Sequence, residues 1–122
     1  MTILGLDTSN VTDMHGMFVY GSTLCFGETF LKVLDISSFD TSKVTNMSDM
    51  FRNNFITTIY VSELWNTSNV VSSNNMFKNA SSIVGGAGTA YSTSNQDVTY
   101  ARIDNPPDEP GYLTDVRDKP SN

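Results

Sequence analysis

The chain is poor in the residues that most enzymatic chemistry needs. Its 122 residues include one histidine, one cysteine, one tryptophan and only seven lysines and arginines together. A lone cysteine, Cys25, excludes an internal disulfide framework and any thiolate metal cluster, since both need at least two thiols. Thirteen acidic side chains leave a net charge of −6, with no basic stripe of the kind a phosphate backbone selects, so nucleic acid is not an expected partner. No run approaches the ~18 apolar residues of a membrane span, and Met1–Asp7 has no basic n-region, so this segment is not expected to insert into a membrane. An export signal, for an exported protein, is expected outside this chain. The length suits one domain with one modest core and excludes a multidomain enzyme.

What is abundant is Ser, Thr and Asn, 41 residues of the 122. That composition alone would suit a disordered linker, but it is arranged in a repeat. Asp7-Thr-Ser-Asn-Val-Thr-Asp-Met-His-Gly-Met-Phe18 recurs as Asp40-Thr-Ser-Lys-Val-Thr-Asn-Met-Ser-Asp-Met-Phe51 and again as Asn66-Thr-Ser-Asn-Val-Val-Ser-Ser-Asn-Asn-Met-Phe77. Between the copies run Leu31-Lys-Val-Leu-Asp-Ile36 and Ile56-Thr-Thr-Ile-Tyr-Val61, a second matching block of the form L-x-x-L-x-L. Leu34 and Ile59 lie 25 residues apart, within the span of leucine-rich repeats. The step from Asp7 to Asp40 is longer because of an insert at 19–30.

Each block has a physical reading. In L-x-L the alternation turns Leu34 and Ile36 inward and Asp35 outward, as in a short half-buried strand, and Ile59-Tyr60-Val61 repeats it. Asp-Thr-Ser-x-Val is turn composition, and its Val11, Val44 and Val70 return to the core. Thr45-Asn-Met-Ser-Asp-Met-Phe51 pairs a Thr cap with apolar residues three and four apart, which predicts one or two helical turns. Thr12–Phe18 matches it, whereas Val71 and Ser73 weaken the third copy to a short or 3₁₀ turn. The expected fold is therefore an α/β repeat: a leucine-rich-repeat-like solenoid with one short parallel strand and one short helix per turn of about 25 residues, closed by a small C-terminal β cap. Residues 1–84 read as the solenoid, of about three units with the first truncated. Residues 85–117 read as the cap, with a hairpin of Val98–Ile103 and Tyr112–Val116, and 118–122 as the start of a linker.

The segment Leu34-Asp-Ile-Ser-Ser-Phe-Asp-Thr-Ser-Lys-Val-Thr-Asn-Met-Ser-Asp-Met-Phe51 resembles the repeat of BspA-like bacterial surface proteins, and is similar to a mycoplasma lipoprotein-type repeat domain of unknown function. The resemblance covers about residues 3 to 84, and the remainder is similar to the C-terminal end of such arrays. It implies an extracellular, cell-surface location and adhesion to host proteins or to other cells. Two departures stand out: the insert at 19–30, and Gly21, Asn54 and Ala80 where many repeats carry cysteine.

His15 occupies the slot filled by Ser48 and Asn74 in the later copies, so a solvent-facing polar position explains it better than catalysis does. Cys25 has no basic neighbour to activate it and reads as an inert thiol. Asp7, Asp40 and Asn66 recur at one position. A calcium column is conceivable there, but backbone hydrogen bonding is simpler, because the repeat lacks the glycine-rich Asp spacing of calcium loops. Gly85-Gly-Ala-Gly88 is a turn, since no Lys-Ser/Thr follows it.

No catalytic residue, cofactor or metal site is therefore expected. The outward strand positions Lys32, Asp35, Thr58, Tyr60 and Glu63 are the expected binding face for a protein ligand, with Tyr60 the foremost contact. Ile3, Leu6, Val11 and Met14 are expected at an incompletely covered end that promotes weak self-association. The apolar insert residues Tyr20, Leu24, Phe26 and Phe30 are expected to pack over the repeats. A protein-binding module of a surface adhesin is the leading function, and a structural spacer or stalk without a ligand of its own is the alternative.

Overall fold

The computed structural model describes residues 1–19, 25–26 and 29–120. Within the insert, β1 (Cys25–Phe26) and β2 (Thr29–Phe30) pair antiparallel; the expected packing of the insert side chains lies outside the described residues. Each L-x-L block forms a strand, because alternation lets one side of the ribbon bury its aliphatics. These strands are β3 (Val33–Asp35) and β4 (Thr58–Val61), parallel, with Leu34 opposite Ile59 and Asp35 opposite Tyr60. Thr2 bridges Asp35 on the free side of β3, and β5 (Thr114–Asp115) pairs in parallel with the other side of β4.

The second block corrects the expected fold class. No described residue lies in an α-helix, so an α/β solenoid with a helix in each turn is not what the chain forms. Two causes are visible. Gly16, Asp49 and Asn75, one residue in each copy at the same repeat position, all have positive φ of 58–63°, and a left-handed residue stops right-handed helix propagation where it occurs. In addition, alternate N–H groups bond across the stack. Met14, Gly16 and Phe18 donate to the carbonyls of Asn46, Ser48 and Met50, while Met47, Asp49, Phe51 and Asn53 donate to those of Ser72, Asn74, Met76 and Lys78. The intervening N–H groups close local turns, as Met50 does to Met47 and Arg52 to Asp49. A helix would consume all of these donors internally. Forming so short a helix also carries the nucleation cost that a two-turn segment barely recovers.

The cross-stack bonds hold side chains in columns. Phe18, Phe51 and Phe77 stack with centroids 5.6 and 5.4 Å apart, and Tyr112 meets Phe77 edge-on at 5.0 Å. Met47, Met50, Met76, Leu34, Ile36, Ile59 and Val61 fill the interior. Each such side chain contributes on the order of 1.5–3 kcal/mol on burial. Threonines stitch the corners: the Thr8 hydroxyl donates to the Asp40 carbonyl and accepts from its N–H, and Thr41 does the same to Asn66.

The C-terminal segment departs from the expected hairpin. Val98–Tyr100 is a 3₁₀ turn whose N-terminal Asp97 accepts from the Thr99 N–H, and Ile103 bridges Leu113 in parallel rather than antiparallel. The local cap wins over the alternating pattern because it satisfies a backbone donor at once. Buried Asp104 then pins three segments, accepting from the N–H groups of Ala87, Thr89 and Gly111 and from the Thr89 hydroxyl. Gly85 lies so close beneath it that an added Cβ would sit 2.1 Å from the Gly111 carbonyl oxygen and 2.5 Å from the Asp104 carboxylate. At the other end Met14 is buried, against expectation, because the Met47 turn covers it; Ile3 and Val11 are half-buried and Leu6 is 47% exposed.

Candidate functional site

The parallel register places Asp35 and Tyr60 side by side on adjacent strands, with Thr58 two residues before Tyr60 on the same face. Thr58 and Tyr60 are half-buried, and the Lys32 and Glu63 side chains are exposed. Asp35 is the exception to the outward reading, with its side chain only 6% exposed. Its cover is Lys119, which the sequence assigns to a linker. The chain leaves β5, makes a 3₁₀ turn at Val116–Asp118 and brings the Lys119 Nζ to 2.7 Å from Asp35 Oδ2 and 5.4 Å from the Tyr60 ring centroid. The other oxygen, Asp35 Oδ1, accepts the Ser37 N–H at 2.9 Å. Burial raises the Asp35 pKa, but the Lys119 ammonium and the Ser37 donors outweigh it and hold the carboxyl below the ordinary range.

Glu63 lies past the end of β4 and lines a cleft of about 420 Å³ with Ser62, Leu64, Ile103, Asp115, Val116 and Arg117. Leu64 is exposed there, giving the cleft an apolar element beside its charges. The Arg117 guanidinium bonds both Asp115 carboxylate oxygens, at 3.0–3.1 Å through Nε and 2.5 Å through Nη2. Asp115, Arg117 and Lys119 were missed by sequence reasoning. No motif marks that stretch, and nothing local connects Lys119 to a residue 84 positions earlier.

The chemical candidates resolve into hydrogen bonds. His15, with its side chain 56% exposed, faces Asp49 at 3.8 Å. Asp7, Asp40 and Asn66 each turn Oδ1 to the N–H two residues ahead, at Ser9, Ser42 and Ser68. The Ser9 hydroxyl and N–H hold Asp7 below its ordinary pKa, and the Ser42 N–H and hydroxyl do so for Asp40. Among the described residues no three His, Cys, Asp or Glu side chains gather where they could hold a metal. The Cys25 side chain lies outside the described residues. No helix among the described residues is long and apolar enough to cross a membrane.

A family model described as a Mycoplasma protein of unknown function, DUF285, matches residues 1–102. Comparison with curated proteins and with solved structures gives no match.

Proposed function

The chain belongs to the DUF285 family of Mycoplasma proteins of unknown function, and from that premise we propose that it is a non-enzymatic repeat module of a bacterial cell-surface protein that binds a protein ligand on a host or another cell. The observation that carries this reading is the continuity of two features. The strand face of Thr58 and Tyr60 runs into a cleft of about 420 Å³ where Glu63, Arg117 and exposed Leu64 meet. Mixed apolar and charged lining at that volume suits recognition of side chains. The BspA-like resemblance of the repeat supports the surface location and the adhesive role. Among the described residues His15 pairs only with Asp49, which supports the non-enzymatic reading. Weak self-association through the first turn, where Leu6 is exposed, belongs to the same proposal.

Beads coated with the chain should adhere to host cells or extracellular-matrix proteins above albumin-coated beads, and Tyr60→Ala or Glu63→Lys should abolish most of that adhesion without moving the unfolding midpoint. Antibody labelling of intact cells reads the location. Surface labelling with no adhesion would assign the spacer role instead; adhesion indifferent to both substitutions would remove the strand face and cleft from the function.

A further inference from the structure

Resting on the reading of the chain as a protein-binding module, we propose that Asp35 and Tyr60 form a binding site for a primary ammonium group, the side chain of a lysine on the partner protein, and that Lys119 of this chain occupies it in the closed state. The site is built before any partner arrives. Asp35 is fixed from one side by the Ser37 N–H on Oδ1 and from below by its place in β3, where its N–H donates to the Met1 carbonyl and its carbonyl accepts from Ile3. The other carboxylate oxygen, Oδ2, binds the Lys119 Nζ, which also lies 5.4 Å from the ring centroid of Tyr60 on the neighbouring strand.

That arrangement holds an ammonium. A point-like ammonium needs one acceptor and gains from a ring face within about 6 Å, and the Lys119 Nζ finds both, a carboxylate oxygen at 2.7 Å and the Tyr60 ring.

The occupant is lightly held. Arg117, Asp118, Lys119 and Pro120 are all exposed, and the 3₁₀ turn Val116–Asp118 buries none of its residues. The described anchors of Lys119 are its backbone N–H to Val116 and the two side-chain contacts on Asp35 and Tyr60. A lysine on a partner can therefore take its place by exchange of like for like, with the strap lifting off a face that extends toward Thr58. The net charge of −6 favours the approach of a basic partner.

A tethered side chain competes at an effective concentration in the millimolar range, so the full chain with Lys119→Ala should bind N-acetyl-lysine methylamide at least about ten-fold more tightly than the unsubstituted chain. Amide shifts at Asp35, Ser37 and Tyr60 in NMR titrations report it. N-acetyl-norleucine methylamide should not bind. Adding Asp35→Asn to Lys119→Ala should abolish binding, and adding Tyr60→Leu should weaken it several-fold; Tyr60 is half exposed, so that variant decides the question even where the Asp35 variant fails to fold. Equal affinity with and without Lys119, or equal binding of the norleucine analogue, would overturn the proposal. Lysine-amide binding alongside beads that never adhere keeps the ammonium site and removes the adhesive reading. Adhesion through Tyr60 without lysine-amide binding does the reverse.

Discussion

Thr41 and Thr67 occupy the same place in successive copies and make opposite demands on the fold. The Thr41 side chain is fully buried, its hydroxyl donating to the Asn66 carbonyl and accepting from the Asn66 N–H. Thr67 sits in the matching Asn66-Thr-Ser-Asn-Val70 phrase, but its hydroxyl meets no partner among the described residues, and it is half exposed. Thr41→Val should therefore cost about 1–3 kcal/mol, because two backbone groups of Asn66 lose their partner. Thr67→Val should stay within about 0.5 kcal/mol. Urea denaturation of the two variants checks both values, and equal costs would show that the corner bond is not what stabilises the repeat. The turn role of Asp7, Asp40 and Asn66 was legible in the sequence from residue type alone, since such side chains bond the backbone two residues ahead. Asp104 was not, because its four donors come from segments 7 to 17 residues away and no short motif marks them.

At the scale of the element, apolar spacing identified which side chains go inward but not the backbone that carries them there. Met47, Met50 and Phe51 are buried as a helix would bury them, yet Asp49 between them is left-handed. The signal was present in the aligned column Gly16, Asp49, Asn75, three residue types that tolerate positive φ better than most. Spacing three and four apart is equally served by consecutive tight turns, so periodicity cannot separate the two. Asn75 is exposed, and its conformation can be tested without disturbing the core. Asn75→Gly should be neutral to within a few tenths of a kcal/mol, whereas Asn75→Val should cost about 1–2 kcal/mol or more, because a branched side chain resists positive φ. A thermal melt in which both variants match the parent would contradict the left-handed turn. The L-x-L strands were legible because two-residue alternation has no comparable rival.

Across the whole molecule, stability depends on carboxylates held ionised. Hydrogen bonds from Ser42 and Thr99 lower Asp40 and Asp97, and at Asp35 and Asp104 burial is outweighed by Lys119, Ser37, Thr89, Gly111 and Ala87. All four groups have folded pKa values below the unfolded value of about 3.9, so the folded state binds fewer protons than the unfolded state in that range. Their contribution is complete above that value and disappears as pH falls through the lowered folded values. The urea midpoint should therefore hold steady from pH 7 to about 5 and decline below about 4. A midpoint that rises on acidification would reverse the sign of the argument. The repeat stack was foreseeable from three copies of one phrase, but the closing strap was not, since contacts across such a separation are set by how the stack ends.

The two ends of the described chain converge on one short strand. The Met1 ammonium donates to the Val33 carbonyl, the Met1 carbonyl accepts from the Asp35 N–H, and Lys119 reaches the Asp35 carboxylate from the opposite end. Tension applied between residues 1 and 120 would consequently enter through β3 and the strap, while the aromatic column and the cross-stack bonds of the repeats stay mechanically shielded. The first contacts to feel the load would be the Met1 bonds on β3 and the Lys119 contact. A pull on this module would uncover the strand face before it disturbed the stack beneath, making traction itself a means of presenting that face.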